Sequence, residues 1–246
     1  MRISVARTLA MVRTRWKQGA AFYNTPVTKS KSQPGYDPAC RDCPRLAAYL
    51  DRIRQEHPDY HARPVAPFGP KRAALLVVGL APGLHGANRT GRPFTGDHAG
   101  ILLYGTLHRY GFASHEGSSD PRDGLSLIGC RVTNAVKCLP PRNRPLSEEV
   151  RRCNRYLAEE IAAVQPRAIL ALGAIAHRAV LMAFELAPGR HRFAHGAVHE
   201  LAAASPAARL FDSYHCSRYN TQTKRLTAEM FEAVVRDIAT FLRGAR

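Results

Sequence analysis

Three groups of residues have the types and spacing to do chemistry. The first is Asp97, inside the run Gly79 to Gly100 that reads GLAPGLHGANRTGRPFTGDHAG. A carboxylate walled by glycines can approach a substrate closely and there orient water or hold developing positive charge. The same position also suits the cap of a helix starting near His98. The second group is four thiols: Cys40 and Cys43 form a CxxC, while Cys138 and Cys153 are separated by 14 residues. Four thiolates suit a tetrahedral zinc ion or an iron–sulfur cluster. Structural zinc sites usually draw on two close pairs, which the wide second pair fits poorly, and spacing leaves both readings open. The third group is Asn134, Asn143 and His215, whose side chains can donate and accept hydrogen bonds.

The elements that must position these groups are visible in the hydrophobic pattern. Ala73 to Val78 is an apolar run that predicts a buried strand. The stretch after it holds six glycines and two prolines, too many breakers for a helix or strand interior, and is expected to be one long shaped loop. Helices are predicted from Cys40 to His57 and from Ile101 to Tyr110, and a strand from Leu125 to Lys137. CLPPRNRP, from Cys138 to Pro145, is expected to be irregular because its prolines fix φ and remove donors. Ser147 is the expected cap of a helix with Val150, Cys153, Leu157, Ile161 and Val164 on its inner face.

A further strand is predicted at Ala168 to Gly173 and a helix after it, then a short strand at Val198 to Leu201 and a last one at Arg209 to His215. CSRYNTQTKR follows as an open segment, and Thr227 caps a closing helix with Phe231, Val234, Val235, Ile238 and Phe241 inward. Strands alternating with helices predict an α/β fold, a three-layer sandwich around a mainly parallel sheet. Loops 80–97, 138–145 and 213–222 all start at predicted strand ends, where sites collect in such sheets.

The chain has 246 residues, 45% of them hydrophobic, enough for one sizeable domain. Its formal net charge of +17 attracts polyanions. Nucleic acid is the favoured partner. A membrane is not expected, since no apolar run of about 18 residues occurs. Residues 1 to about 36 carry seven Lys or Arg and no acid, and read as a mobile basic arm with one short helix from Ser4 to Gln18. Residues 37–246 read as one domain. No apolar secretory core is seen at the N-terminus, so the six cysteines suggest a metal site in the cytoplasm rather than a disulfide framework. Cys130, in a strand, is expected to be an inert thiol, and Cys216 to fill or wall a site.

Four segments together resemble one family. CRDCPRL, GLAPGLHGANRTGRPFTGD, VTNAVKCLPPRNRP and SYHCSRYNTQTKRLT, in this order over Cys40 to Leu242, are similar to the iron–sulfur uracil-DNA glycosylases of family 5, type b. The resemblance implies the uracil-DNA glycosylase-like sandwich and a [4Fe–4S] cluster held by Cys40, Cys43, Cys138 and Cys153. It implies base excision repair of deaminated bases such as uracil, hypoxanthine and xanthine, in DNA at the nucleoid. Double-stranded DNA is the expected substrate, with single-stranded DNA as a second form, and the expected state is a monomer. The apolar Leu80 and Ala81, where related glycosylases carry a polar residue, place the chain in the branch that uses the acid of FTGD, Asp97. Asn143 and His215 complete the implied catalytic set.

Gly79, Leu80, Ala81, Gly83, Phe94 and Asn134 are expected to line the base pocket, Phe94 by stacking on an extruded base. Arg142, Arg144, Ser217, Arg218, Tyr219, Lys224 and Arg225 are expected to meet DNA. His98 is a departure, standing where a small residue is expected, and it is expected to act on the Asp97 carboxylate. Lys137 gives little reason to expect Schiff-base lyase chemistry, so the enzyme would be monofunctional. The competing readings are a non-catalytic iron–sulfur nucleic-acid-binding protein and a phosphohydrolase. The second lacks the GKS or GKT ending of a phosphate loop.

Overall fold

The computed structural model describes residues 35–201 and 208–244, which form one compact unit. The basic arm and its expected helix lie outside the described residues, apart from Gly35 and Tyr36. Five strands are present: β1 Leu75–Gly79, β2 Cys130–Asn134, β3 Ala168–Leu172, β4 Val198–Leu201 and β5 Ala208–Ser213. The α-helices are α1 Pro44–Glu56, α2 Ala87–Thr90, α3 His98–Arg109, α4 Ser147–Val164, α5 Ala174–Ala183, α6 Arg218–Gln222 and α7 Ala228–Gly244. The sheet order is β2-β1-β3-β5-β4, parallel except for β4, which runs antiparallel to β5 at the edge.

Strand side chains alternate between two cores, because successive residues point to opposite faces of a sheet. Leu75, Val77, Leu170 and Leu172 pack with Leu103 and Leu107 of α3 and Phe231 and Ile238 of α7. Leu76, Val78, Ile169 and Ala171 pack with Leu46 of α1, Leu157 and Ile161 of α4, and Val180 of α5. Helices therefore cover both faces, which makes the three-layer sandwich. The central strands are buried on both sides and so read as unbroken apolar runs.

Several elements differ from expectation. The strand expected over Leu125 to Lys137 is only five residues long; Leu127 before it makes just an isolated bridge to Ala113. The glycine-rich loop contains the one-turn helix α2, which Gly91 ends in the left-handed conformation at φ 76°. Helix α3 starts three residues early because Asp97 caps it and Gly100, one turn in, accommodates close packing against the Phe94 carbonyl.

Leu146, not Ser147, is the cap of α4. Its N–H donates to Glu149 Oε2 at 2.7 Å, so the glutamate does the capping that was expected of the serine. The segment after β5 is not open, for Ser217 caps the short helix α6. Thr227 caps α7 as expected, accepting from Met230 N at 3.2 Å. Replacing the fully buried Leu170 of the central strand by Ala should cost about 3 kcal/mol of stability, read by urea denaturation.

Candidate active site

A cavity of about 500 Å³ opens at the carboxyl ends of β1, β2, β3 and β5. Leu80, Ala81, Gly83, Phe94, Asp97, Asn134, Asn143, His215, Ser217 and Arg218 all line it, so the three loops expected to converge do so. Gly79 does not line it but lies underneath: a Cβ there would overlap Asn134 Oδ1 and the Phe94 ring. That glycine lets the base of the cavity close.

Asp97 stands at the cavity and at the N-cap of α3 together. Its Oδ1 accepts the Gly100 amide at 3.0 Å, while Oδ2 lies against Gly86, with Gly83 a little farther off. A Cβ on Gly86 would overlap this carboxylate, so only glycine leaves room for it. Burial raises the Asp97 pKa above the ordinary carboxylate value of 3.8, opposed by the amides of Gly100 and Ala99 and, less, by His98. The capping bond thus orients the carboxylate without consuming both of its oxygens. His98 turns to the side, where its Nε2 meets Thr221 Oγ1 of α6 at 2.9 Å.

His215 and Phe94 form a stacked pair with ring centroids 5.9 Å apart. Phe94 holds a left-handed backbone, φ 52°, which is costly for an aromatic residue and marks a constrained loop. Burial pushes the His215 pKa down to about 4, so its ring is neutral at pH 7. Its Nδ1 is buried without a hydrogen-bond partner among the described residues, and so is Asn134 Oδ1. Such groups are rare and point to partners supplied by a ligand or water. Cys216 is fully buried, pushed up to about 12 mainly by burial and also by the nearby Asp97, and is a packing thiol.

The basic residues divide. Arg142, Arg144, Arg218 and Lys224 are exposed, as is Tyr219 at 70%, without other ties of their side chains among the described residues. Arg218 lines the cavity, and Arg142 and Arg144 flank Asn143, which lines it too. Lys224 lines a separate groove beside α3. Arg225 is also exposed but stacks on the Tyr214 ring at 4.6 Å, so it is partly committed within the fold.

The four thiols expected to act together line one small cavity behind β2, with Lys137 and Tyr156. Cys43 caps α1, Cys153 sits on the inner face of α4, and Lys137 N donates to Cys153 Sγ at 3.3 Å. Burial pushes the Cys43 thiol up to about 11, with Cys153, Glu149 and Cys40 adding to the rise. Cys130, by contrast, is buried in β2 and raised by burial alone, as an inert thiol should be.

Sequence reasoning missed Arg92. Its guanidinium, almost fully buried, donates to Thr95 Oγ1, Ser118 Oγ and the Asp120 carbonyl, each at 2.8 Å, and pairs with Asp123 at 2.6 Å. It lies 4.9 Å over the Phe68 ring. Through Thr95 it holds the turn that carries Phe94 and Asp97. It also holds the Asp123 carboxyl down at about 2. The one available signal was an arginine inside a glycine-rich loop, which by itself names no partner. Asn220 was missed as well; its Nδ2 donates to the His215 carbonyl at 2.7 Å.

The sandwich with its cavity at the carboxyl ends of the strands belongs to a known class, as the sequence comparisons show. The model of the Uracil DNA glycosylase superfamily matches residues 66–239. The chain is 48% identical over 206 residues to a type-5 uracil-DNA glycosylase of Thermus thermophilus, covering 80% of this chain and 91% of that one. It is 43% identical over 204 residues to the type-5 enzyme of Pyrobaculum aerophilum, covering 81% and 88%. A type-4 uracil-DNA glycosylase of the same archaeon is 39% identical over 123 residues, half of this chain. The chain belongs to the uracil-DNA glycosylase superfamily, within its type-5 branch.

Because Arg92 touches the loop and not the cavity, its loss should act on geometry. Arg92→Met should slow base release about 100-fold in single-turnover assays while DNA affinity stays within a few-fold. Lysine cannot reproduce the fork and should not rescue.

Proposed function

We propose that this chain is a monofunctional DNA glycosylase that extrudes a deaminated base and hydrolyses its N-glycosidic bond, leaving an abasic site. The observation that carries the reading is the shared cavity, which joins the Asp97 carboxylate to two buried, unpartnered polar atoms, His215 Nδ1 and Asn134 Oδ1. Breaking the bond builds positive charge on the sugar and negative charge on the base. Asp97 Oδ2 supplies the anion that stabilises the sugar or orients water. His215, being neutral, donates a hydrogen bond to a base carbonyl without losing a proton to it.

Uracil, hypoxanthine and xanthine share an edge, a ring N–H beside a carbonyl. Cytosine and adenine, the parents of the first two, present a bare ring nitrogen beside an amino group instead. Guanine, the parent of xanthine, already carries the shared edge and differs from xanthine at its C2 amino group. An asparagine oxygen accepts from that N–H and its NH₂ donates to the carbonyl, so Asn134 reads the shared edge. Asn143, exposed and left-handed at φ 54° on the PPRN turn, faces the same cavity from the mouth. Phe94 offers the stacking surface. Weak pairing of deaminated bases lowers the cost of flipping them out. The exposed arginines around the mouth meet the phosphates, which makes binding salt-dependent.

Among the described residues no lysine lines the cavity: Lys137 is buried against Thr133 and Glu160, and Lys224 lies in the separate groove. This supports hydrolysis by water over Schiff-base chemistry. No helix among the described residues is long and apolar enough to cross a membrane. A DNA substrate supports the cytoplasm, at the nucleoid, as its place of action.

Four sulfur donors around one cavity, with a backbone amide on Cys153 Sγ, fit a [4Fe–4S] cluster held by Cys40, Cys43, Cys138 and Cys153. Such a cluster would tie α1, α4 and the PPRN loop together. Cys138→Ser should reduce bound iron and sulfide and lower the melting temperature.

Asp97→Asn should reduce uracil release from an oligonucleotide by about 10²–10³-fold with duplex binding retained. A rate within threefold of wild type would remove Asp97 from this role. The active form is the carboxylate, so kcat/KM should rise with pH through a pKa above 3.8 and then level off. With His215 titrating at about 4, no further step should occur near pH 6.5.

A further inference from the structure

A second constellation lies outside the cavity, where α5, β4 and β5 meet. Asp212 of β5 is fully buried. Its Oδ1 stands 2.9 Å from His177 Nδ1 of α5, and its Oδ2 stands 3.0 Å from His199 Nε2 of β4. His177 is also buried, with 1% of its surface exposed. Its other nitrogen, Nε2, lies 2.9 Å from the carbonyl oxygen of His191. A carbonyl only accepts, so Nε2 must carry a hydrogen. In the neutral ring Nδ1 is then a bare lone pair aimed at a carboxylate oxygen. Two such groups cannot face each other at 2.9 Å without a cation between them, either a second ring proton or a metal ion.

The surrounding histidines bear on which. His191 Nδ1 lies 3.3 Å from the Ala187 carbonyl and so carries that ring's hydrogen, leaving Nε2 as a lone pair. The His191 and His199 rings are 5.7 Å apart at 69°, and the His177 and His199 rings 5.3 Å apart at 66°. Two imidazoles bound to one ion at about 2.1 Å and a tetrahedral angle would have centroids roughly 5 Å apart. His177 Nδ1, His199 Nε2 and an Asp212 oxygen lie within 4.8 Å of one another. Both His177 and His191 donate their other nitrogen to a backbone carbonyl, the outer contact that fixes the tautomer of a metal-bound imidazole.

We propose that His177, His199 and Asp212 form a zinc site separate from the cysteine cavity, with His191 beside it. Imidazole and carboxylate donors suit this ion. It would pin the edge strand β4 and helix α5 to β5, whose chain runs on through Tyr214 into His215. The ion would be structural, and the proposal does not depend on the glycosylase reading.

The test uses the purified, iron-containing protein, loaded with zinc chloride and desalted. Wild type should retain one zinc per chain with its iron unchanged, and its melting temperature should rise with added zinc. His199→Gln keeps an N–H for Asp212 but removes the ligand at a partly exposed position. It should bind zinc at least about 100-fold more weakly by calorimetry and lose the thermal shift. His191→Ala, a milder change, should weaken binding less. If wild type retains no zinc, or binds it no better than His199→Gln, the site is an imidazolium–carboxylate network and the proposal fails.

Discussion

The guanidinium of Arg92 has almost no contact with water, yet every donor it carries toward the loop is matched, by a hydroxyl, a carbonyl or the Asp123 carboxylate. That matching is the constraint on which the cavity depends. An unpaired charge in this position would be costly to bury, so the loop can hold its shape only while Thr95, Ser118 and Asp123 stay in place. The left-handed turn at Phe94 and the capped carboxylate at Asp97 follow within five residues of the arginine. A rigid carboxylate can thus be presented by a segment made largely of glycines.

The cavity combines two opposed electrostatic demands. Burial raises the acid of Asp97 and lowers the base of His215, so both groups are pushed toward their neutral forms. Backbone amides at the start of α3 offset the first shift and keep the carboxylate ionisable. Nothing offsets the second, and the neutral imidazole still keeps one N–H to donate to a carbonyl. The charge of +17 acts at longer range, outside this pocket, through exposed arginines at its mouth.

Two sets of ties brace the strand ends from opposite sides of the cavity's chain segments. Cys43, Cys153 and Cys138 bring α1, α4 and the loop after β2 around one small cavity. The buried Arg131–Glu160–Lys137 network lies close by, with Lys137 N reaching Cys153. On the other edge, Asp212 and its histidines join α5 and β4 to β5. Loops carry the functional side chains, and fastened strand ends give those loops fixed points of departure.

The order of elements was legible in the sequence because buried parallel strands are apolar runs and helix faces repeat every three or four residues. Val150, Cys153, Leu157, Ile161 and Val164 could be placed on one face for that reason, and all five are buried. Glycine and proline density marked Gly79 to Gly100 as the shaped segment, and the convergence of three loops followed from parallel strand topology. Long-range pairing was not legible. Arg92 meets Asp123 across 31 positions and His177 meets Asp212 across 35, and no local pattern encodes such partners. Nor could the chain alone say that Asp97 both caps a helix and faces a cavity, because the direction of each carboxylate oxygen depends on packing around Gly86. Local periodicity thus determined which segments are strands and helices and where functional loops must start. Tertiary packing decided which side chains lose water there, and desolvation is what sets their protonation and hence their chemistry.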